Sequence, residues 1–410
     1  MPMHPILASL RHHKLTAVLL VLQVALTCAV VCNVLFLVVD RIQQINLPSG
    51  VDEDALSLIG SQSVNKNENA LARHDTDLAA LRTIPGVTMA VAVDTLPLGR
   101  DESSYGTCAT LADLDRASKS QSIDVDGCVE PATYGGTPGE LKALGLHLIA
   151  GRDFHEDEYV SDDKVPAAIL TTALANKLFP GGNALGQTIY TGERKPIRVV
   201  GIVDTMLRPR LYAFGTNQLS MLFPMKPTDS DVTYLLRSAP QDRERVLQAA
   251  AAKLMQIDPD RILPAKEMRT YAQLRHDYFQ RDITMTGLLV SSCLGLLFVT
   301  ALGISGLANF WVQQRRKQIG VRRAIGATRG DILRYFLAEN FVIVSGGIVI
   351  GALLAIVLNL LLMKQYEVSR MPLYYLPAGA VALWCLGQFA VLAPALRAAA
   401  VSPVVATRSV

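Results

Sequence analysis

The sequence predicts a membrane protein with four transmembrane α-helices and one large α+β domain between the first helix and the second. Half of its 410 residues are hydrophobic, and they concentrate in four runs that each reach the roughly 20 residues needed to cross a hydrocarbon core. The interval between the first two runs mixes short strand patterns with helical ones, which is typical of an α+β domain. The four runs cover residues 15–39, 283–310, 341–363 and 373–396.

Positive charge flanks the four runs on one side. Arg11 and Lys14 precede the first run, a basic segment follows the second, and Arg397 and Arg408 follow the fourth. Because short loops rich in Lys and Arg stay on the cytoplasmic side, both termini are predicted to be cytoplasmic. The cytoplasmic segments are then 1–14, 311–340 and 397–410, and the external ones are the domain 40–282 and a hairpin at 364–372.

The first run has a cleaved signal peptide as its alternative interpretation. Its roughly 25 apolar residues exceed the h-region of a typical signal peptide, and no clear small-x-small cleavage site follows. We therefore expect an uncleaved membrane anchor.

Strand and helix patterns divide the external domain. The segments Val87–Val93 and 197–203 are predicted to be strands because apolar, largely β-branched residues dominate both. The segments 171–179 and 242–255 are predicted to be helices, the first of them capped by Thr171 or Thr172. Two polar segments complete the prediction, a helical one at 54–83 and a loop or irregular strand at 101–136.

A further helix is predicted for residues 271–282, directly before the second run. The segment has no helix breaker, so we expect it to continue into the membrane as a rigid stalk. A rigid helix would transmit displacement, whereas a Gly/Ser linker would absorb it.

The six cysteines divide by location. Four lie in the apolar runs, where a free thiol acts as a small apolar filler. Cys108 and Cys128 lie in the external domain, where an oxidising compartment favours a disulfide over two independent thiols. Such a bridge would close a loop of about 20 residues and stabilise the fold by roughly 3 kcal/mol. The four cysteines in the runs are Cys28, Cys32, Cys293 and Cys385.

The sequence lacks the motifs of the common catalytic and metal sites. No Gly-x-x-x-x-Gly-Lys-Ser/Thr phosphate loop is present, so the chain is not expected to hydrolyse ATP. No Gly-x-Ser-x-Gly nucleophile elbow occurs, and the acidic cluster 155–158 lacks the histidine pair of a zinc-protease helix. The interiors of the runs carry no charge, which argues against a proton-coupled transporter. We therefore predict a non-catalytic membrane protein without a metal site.

The segment 311–340 carries the clearest functional signal. Seven Lys or Arg residues lie in it, and apolar residues recur among them at helical spacing. This pattern suits a helix that presses on a partner at the membrane surface better than a free charged linker. The seven basic residues are Arg315, Arg316, Lys317, Arg322, Arg323, Arg329 and Arg334.

Small residues mark one face of the third run. Gly347, Gly351 and Ala355 lie four residues apart and predict a groove for close helix approach. Gly295 and Gly303 are similar positions in the second run. Helix packing within one chain and contact with a second subunit explain these residues equally well.

Several segments together resemble the MacB/FtsX-type ABC transporter permeases. The segment RRKQIGVRRAIGATRGDILRYFLAENFVIVSGGIVIG at 315–351 is similar to that family's signature, and PALRAAAVSPVVATR at 394–408 to its closing motif. The external segments at 145–154, 167–189 and 198–205 are similar to the MacB-type periplasmic core domain. Their shared order around four apolar runs extends the resemblance over nearly the whole chain.

The resemblance implies a permease dimer bound to two ABC ATPase subunits in the bacterial inner membrane. The second permease would be the same chain or a similar paralogue. ATP and Mg would bind the partner ATPase, and no cofactor is expected on this chain. Because the chain starts almost directly at the first run, we expect the ATPase to be a separate polypeptide. Its motion would be relayed to the periplasmic domain by mechanotransmission, so substrate need not cross the bilayer.

The same resemblance implies two parts within the external domain. A porter-like subdomain would be formed by residues of about 48–97 and 231–270, with a second subdomain inserted at about 98–230. The stalk helix 271–282 would follow the porter-like part.

The family's cytoplasmic coupling segment matches nine positions of this chain, which the resemblance implies to contact the ATPase. Gln318 stands where the family usually has an acidic residue, which puts a charge-paired contact at that position in doubt. The nine positions are Arg315, Arg316, Ile319, Gly320, Arg322, Arg323, Ala324, Gly326 and Ala327.

Three related functions fit this resemblance. Export of a periplasmic substrate would add a periplasmic adaptor and an outer-membrane channel as partners. Lipoprotein extraction and FtsX-like signalling to a cell-wall hydrolase are the alternatives, and the large external domain favours export over signalling. A membrane-anchored receptor, from another class, would account for the external domain but not for the basic segment. Membrane lipid is an expected partner, and nucleic acid is not.

Overall fold

The computed structural model describes residues 14–65, 68–161, 164–192, 194–212, 215–366 and 370–400, with the side chains of 14–16 and 366 excepted. The predicted flanking residues Arg11 and Arg408 lie outside this range. The chain divides into two compact units. We call Met1–Asn46 together with Asp282–Val410 the helical unit, and Leu47–Arg281 the sheet unit.

The described α-helices are α1 Lys14–Ile45, α2 Ala70–Leu81, α3 Leu111–Ser120, α4 Glu140–Leu144, α5 Thr172–Leu178, α6 Arg243–Ile257, α7 Tyr271–Gln314, α8 Arg316–Ala324, α9 Arg329–Tyr366 and α10 Tyr375–Ala399. The described strands are β1 Leu56–Ser61, β2 Val87–Val93, β3 Ser103–Ser104, β4 Thr107–Cys108, β5 Cys128–Val129, β6 Ala132–Gly135, β7 Leu148–Gly151, β8 Ala167–Thr171, β9 Thr188–Tyr190, β10 Pro196–Val203, β11 Ser220–Phe223, β12 Val232–Ser238 and β13 Met268–Thr270.

Four of the described helices are long and apolar enough to cross a membrane, which confirms the predicted fold class. The second of them, α7, starts at Tyr271 and includes residues of both units, so the segment predicted as a stalk forms its first turns. The candidate spans are Ala17–Ile45, Tyr271–Gln314, Arg329–Gln365 and Tyr375–Ala399.

Close packing of α9 against α1 holds the helical unit together. A Cβ added at Gly347 would lie 2.7 Å from the Val24 side chain, and one at Gly351 would lie 2.5 Å from the Cβ of Cys28. Ala355 is fully buried, and Asn33 donates a hydrogen bond to its carbonyl at 3.0 Å. These three small residues of α9 are therefore used for contact within the chain.

The two small residues of α7 have different surroundings. A Cβ at Gly303 would meet the Gln23 side chain at 2.6 Å, whereas nothing described lies within 4 Å of one at Gly295. Gly295 thus faces no neighbour among the described residues of the chain, and of its two predicted roles, contact with a second subunit stays a prediction.

The first sheet of the sheet unit has four antiparallel strands in the order β13-β1-β12-β2. Its strands come from residues 56–93 and 232–270, which lie inside the ranges of about 48–97 and 231–270 that the porter-like prediction names. Helices α2 and α6 cover one face through a buried cluster that includes Leu78, Tyr234 and Leu254. The opposite face lies in a second cluster with Leu58, Leu235 and Tyr271.

The prediction that 54–83 is helical throughout is wrong for its first part. Residues 56–61 form β1, an inner strand of this sheet, and only 70–81 form a helix. All six residues of β1 are buried because both faces of the sheet are covered. A strand buried on both faces loses the polar/apolar alternation by which a sequence reveals it.

The second sheet is mixed and follows the order β3-β6-β11-β8-β10-β9-β4-β5, with β7 also paired to β10. All its strands come from residues 103–223. Strands β8 and β10 are parallel, and α5 follows β8 with Thr171 as its N-cap, whose hydroxyl accepts from the Leu174 amide. The predicted strand 197–203 corresponds to β10.

A disulfide joins Cys108 and Cys128 on the adjacent strands β4 and β5. The intervening residues contain α3, capped by the Thr110 hydroxyl, which accepts from the Asp113 amide at 3.1 Å. The prediction of loop or irregular strand for 101–136 missed this helix, which buries only Leu114 and Ala117 among mostly polar residues.

Candidate functional site

The basic segment begins at a joint between two helices. Arg315 separates α7 from α8, yet its amide still bonds to the Trp311 carbonyl at 3.0 Å, so the helical path is nearly continuous. Helix α8 ends at Ala324, and Gly326 then adopts a φ of 108°, a left-handed conformation that favours glycine. The turn reverses the chain into α9.

Thr328 and Asp331 cap the start of α9 reciprocally. The Thr328 hydroxyl accepts from the Asp331 amide at 3.2 Å, and the Asp331 carboxylate accepts from the Thr328 amide at 3.0 Å. Each side chain thereby satisfies an amide that the first helical turn leaves open. The sequence ATRGD thus fixes where α9 begins and holds the α8–α9 turn in place.

One face of α8 lies against the other helices of the helical unit. Ile319 is 5% exposed and belongs to the same buried cluster as Trp311, Ile332 and Phe336, and Gly320 beside it is buried too. The apolar spacing of the basic segment is therefore partly explained by packing within the chain.

The opposite face of α8 is exposed and combines apolar with basic side chains. Val321 is 51% exposed and Ile325 is 82% exposed. Arg322 stacks its guanidinium over the Tyr335 ring of α9 at 5.1 Å from the centroid, and the residue is nevertheless exposed. We call this surface the docking face and define it as Lys317, Gln318, Val321, Arg322, Ala324 and Ile325, all exposed.

The nine predicted contact residues separate into two groups. Arg315, Ile319 and Gly320 face the chain's own helices: Arg315 pairs with Glu339, and the other two are buried. In the structure these three residues contact the chain's own helices, and their contact with the ATPase stays a prediction. The other six remain accessible: Arg316, Arg322, Ala324 and Gly326 are exposed, and Arg323 and Ala327 are half-buried.

Sequence reasoning missed three residues of this region. Glu339 is a buried carboxylate at the edge of an apolar span, a placement that signals a partner. The exposure of Val321 and Ile325 had no signal in the sequence, because apolar spacing alone does not tell which of two helix faces is covered.

The arrangement can bind a protein but shows no catalytic chemistry. Within the described ranges, no group of three or more His, Cys, Asp or Glu side chains is placed to hold a metal ion. An exposed helix face with apolar residues and cations instead fits a partner groove that has an apolar floor and acidic rims.

A polar pocket of about 220 Å³ opens on the first sheet of the sheet unit. Asp94 lies in its wall, and burial together with the nearby Asp229 raises the pKa of Asp94 to about 7, although part of its surface stays exposed. Behind it, the neighbouring Glu140 is buried, and burial first and Asp94 second raise the pKa of Glu140 well above its ordinary value. Gly135 and Gly136 leave the room that both carboxyl groups occupy.

Two family models match the chain and together extend over most of it. The MacB-like periplasmic core domain matches residues 18–254, which is more than half of the chain. The FtsX-like permease C-terminal domain matches residues 290–403, a range that contains α8 and its docking face.

Curated relatives show the same relationship over part of their length. The macrolide export ATP-binding/permease protein MacB of Chromobacterium violaceum is 28% identical over 282 residues, 64% of this chain and 41% of the relative. Its namesake in Bradyrhizobium diazoefficiens is 31% identical over 238 residues, 54% of this chain and 34% of the relative. The Escherichia coli protein is 24% identical over 287 residues, 66% and 42% respectively. The matched part of the chain thus spans about a third to two fifths of the length of these relatives.

Solved structures resemble the chain more weakly. The periplasmic region of MacB from Actinobacillus actinomycetemcomitans has a TM-score of 0.35 and 16% identity, and covers 59% of this chain and 98% of its own. The extracellular domain of the ABC-type transporter YknZ from Gram-positive bacteria has a TM-score of 0.33 and 15% identity, with 50% and 98% covered.

The core-domain match extends from α1 into α6, and the permease match begins in α7 and includes α8, α9 and α10. The chain therefore belongs to the MacB/FtsX-type ABC transporter permeases, in which a MacB-like periplasmic core domain is joined to an FtsX-like permease domain.

Proposed function

We propose that this chain is the membrane subunit of a MacB-type transporter that couples ATP hydrolysis by a separate ABC ATPase to periplasmic conformational change and substrate export. The chain itself would be non-catalytic, with ATP and Mg bound by the ATPase. The observation that carries the proposal is the docking face, an exposed apolar and basic surface on a short helix whose other face is buried in the membrane helices.

The charge of the docking face supports a cytoplasmic position and an acidic partner. Lys317 and Arg322 flank the exposed Val321 and Ile325, and basic segments between spans stay inside the cell. We therefore place both termini in the cytoplasm and the protein in the bacterial inner membrane. The second permease of the dimer would be the same chain or a paralogue, with a periplasmic adaptor and an outer-membrane channel completing the export system.

The test is affinity purification of the full chain from its native membrane in mild detergent, with mass spectrometry of the retained proteins. The wild-type chain is expected to retain an ABC ATPase. Ile325→Glu should lose it, because a buried carboxylate would meet an apolar and acidic groove. The matched control is Ile149→Glu, which places the same change at an exposed isoleucine of β7 in the sheet unit.

A second pair of variants tests the contribution of charge. Reversing Arg322 and Arg323 to Glu should lower ATPase recovery while the chain still inserts, whereas Arg100→Glu at an exposed arginine of the sheet unit should leave recovery unchanged. Equal ATPase recovery from wild type, Ile325→Glu and the double reversal would contradict the proposal. A lipoprotein or a cell-wall hydrolase retained in place of an adaptor would replace export by extraction or signalling.

A further inference from the structure

Arg315 and Glu339 form an ion pair inside the helical unit. The Arg315 Nη1 atom donates to both carboxylate oxygens of Glu339, at 3.0 and 2.9 Å. Their side chains are 13% and 2% exposed. Arg315 lies at the joint between α7 and α8, and Glu339 lies in the third turn of α9. The pair therefore connects the start of α8 to α9, the third membrane helix.

The surroundings of Glu339 are apolar. Ile304, Trp311 and Phe336 line the small space beside its carboxylate, as do Leu20 and Val391. A charge in such surroundings is strongly disfavoured unless it is paired. Moving the base of α8 away from α9 would separate this carboxylate from the Arg315 guanidinium, so the two helices are expected to move together.

The residues next to Glu339 extend this connection to the fourth membrane helix. Asn340 donates from Nδ2 to the Gly387 carbonyl of α10 at 3.0 Å, and Gln388 donates to the Leu337 carbonyl at 3.5 Å. Residues 337–340 of α9 are thus hydrogen-bonded both to Arg315, at the start of α8, and to α10.

We propose that the Arg315–Glu339 ion pair is the clamp through which displacement of the docking face reaches the membrane helices α9 and α10. Arg315 is then a positioning residue that holds α8, and it does not contact the ATPase. The proposal rests on the proposed function for the source of the displacement, but the clamp itself is a property of this chain alone.

Arg322 and Tyr335 provide an internal comparison. Their cation–π contact also joins α8 to α9, at 5.1 Å, but it lies at the surface. Exposed cation–π contacts are weak because water competes for the cation. Tyr335→Leu therefore removes a contact between the same two helices without stranding a buried charge.

The first experiment measures hydrogen exchange of the full chain in lipid nanodiscs, in the absence of any ATPase. Peptides covering 316–327 are expected to exchange roughly tenfold faster in Glu339→Gln and in Arg315→Gln, since each change breaks the buried ion pair. The double variant should exchange no faster than either single variant, because the two residues act as a unit. Arg315→Lys, which keeps the charge, and Tyr335→Leu should stay within about threefold of wild type.

The outcomes separate a clamp from general stabilisation. Peptides of β2 and β12 in the sheet unit should be unchanged in all variants. Unchanged exchange of 316–327 in both single variants, or effects that add in the double variant, would overturn the proposal. The double variant removes both charges of the pair, so it gives the comparison even if a single variant does not accumulate in membranes.

The second experiment adds the ATPase that is recovered with the wild-type chain. A non-hydrolysable ATP analogue is expected to change the exchange of residues 340–350 in the wild-type complex. Glu339→Gln should retain the ATPase and lose that change. If it transmits the change as wild type does, the clamp is wrong. If wild type binds no ATPase, the proposed function fails, while the first experiment still decides whether the pair holds α8.

Discussion

Glu140 shows how a single buried carboxyl group makes the stability of the sheet unit depend on pH. The residue is 2% exposed, and among the described residues no donor reaches its Oε1 atom. Burial raises its pKa well above the ordinary value, with Asp94 and Asp153 adding to the effect. The folded chain therefore keeps a proton that the unfolded chain releases above a pH of about 4.3.

This proton determines the sign of the pH dependence. The folded state binds more protons than the unfolded state, so stability is fully present at low pH and is lost as pH rises towards the folded pKa. Glu140→Gln keeps the neutral shape at every pH. We expect the variant to exceed wild type by about 1–3 kcal/mol at pH 9 and by less at pH 6. Pulse proteolysis of the full chain in urea at both pH values would measure this, and equal pH slopes for the two proteins would contradict it.

Asp77 and Arg261 form a second buried charge system in the first sheet's helical layer. Both side chains are fully buried, with two nitrogen–oxygen contacts of 2.8 and 2.9 Å, and the Tyr234 hydroxyl donates to the same carboxylate at 2.6 Å. The pair connects α2 to the segment after α6. Each charge offsets the desolvation cost of the other, because either charge buried there alone would be strongly destabilising.

Asp77→Asn is expected to destabilise the sheet unit by about 3–5 kcal/mol, because the charge of Arg261 would remain buried without its partner. Asp75→Asn is the matched control on the same helix, since Asp75 is exposed, and it should cost less than about 0.5 kcal/mol. Urea midpoints of the full chain, read from proteolysis of the sheet unit, compare the two. Similar losses in both variants would show that the buried pair has no special role.

At the scale of elements, the small residues of α9 explain how a thin bundle packs closely. Gly347 and Gly351 bring the backbone of α9 against α1, and Gly379 does the same for α10 beside Cys32. Close backbone approach gains dispersion contacts where no hydrophobic effect acts between helices. The groove predicted for either internal packing or a second subunit is thus occupied by the chain's own first helix.

Gly351→Val is expected to force α1 and α9 apart, because its new Cβ would lie 2.5 Å from that of Cys28 and 2.6 Å from the Ala25 carbonyl oxygen. Overpacking of this kind costs about 1–3 kcal/mol, so the thermal midpoint of the detergent-solubilised chain should fall. Gly295→Val adds the same side chain where nothing described lies within 4 Å. It should leave that midpoint unchanged, and a shift from dimer to monomer in this variant alone would identify Gly295 with the subunit interface.

At the scale of the whole molecule, the family assignment favours one orientation of the chain across the membrane. The core-domain model and the permease model match successive ranges, and the basic α8 lies within the second. Under the proposed function, the docking face would lie inside the cell and the sheet unit outside it, in the periplasm. The substrate would then meet the sheet unit, and ATP would act at the opposite side of the membrane.

Cysteine labelling in whole cells tests this direction. Glu244→Cys on α6 and Lys317→Cys on α8 both lie at exposed positions, and a membrane-impermeant maleimide should modify the first in intact cells. The second should react only after the membrane is opened, because the basic loop stays inside. Wild type controls for the native thiols, of which Cys108 and Cys128 are joined in a disulfide. Labelling of Lys317→Cys in intact cells would reverse the topology.

The sequence by itself determined the membrane class, the four spans, the α+β domain and the position of the basic segment. These follow from run length, hydrophobicity and charge, which are local properties of the chain. The strands 87–93 and 197–203 could be predicted for the same reason, because apolar, largely β-branched residues dominate each short segment.

Only the tertiary structure decided which predicted contacts face inward. Arg315 and Arg316 are adjacent and chemically alike, yet one pairs with Glu339, 24 residues away, and the other is exposed. Likewise, β1 is a strand because two separate clusters cover its faces, and the groove of α9 is closed by a helix more than 300 residues earlier in the chain. Each outcome depends on groups that meet only after folding, since burial and charge pairing are set by neighbours in space and not by neighbours in sequence.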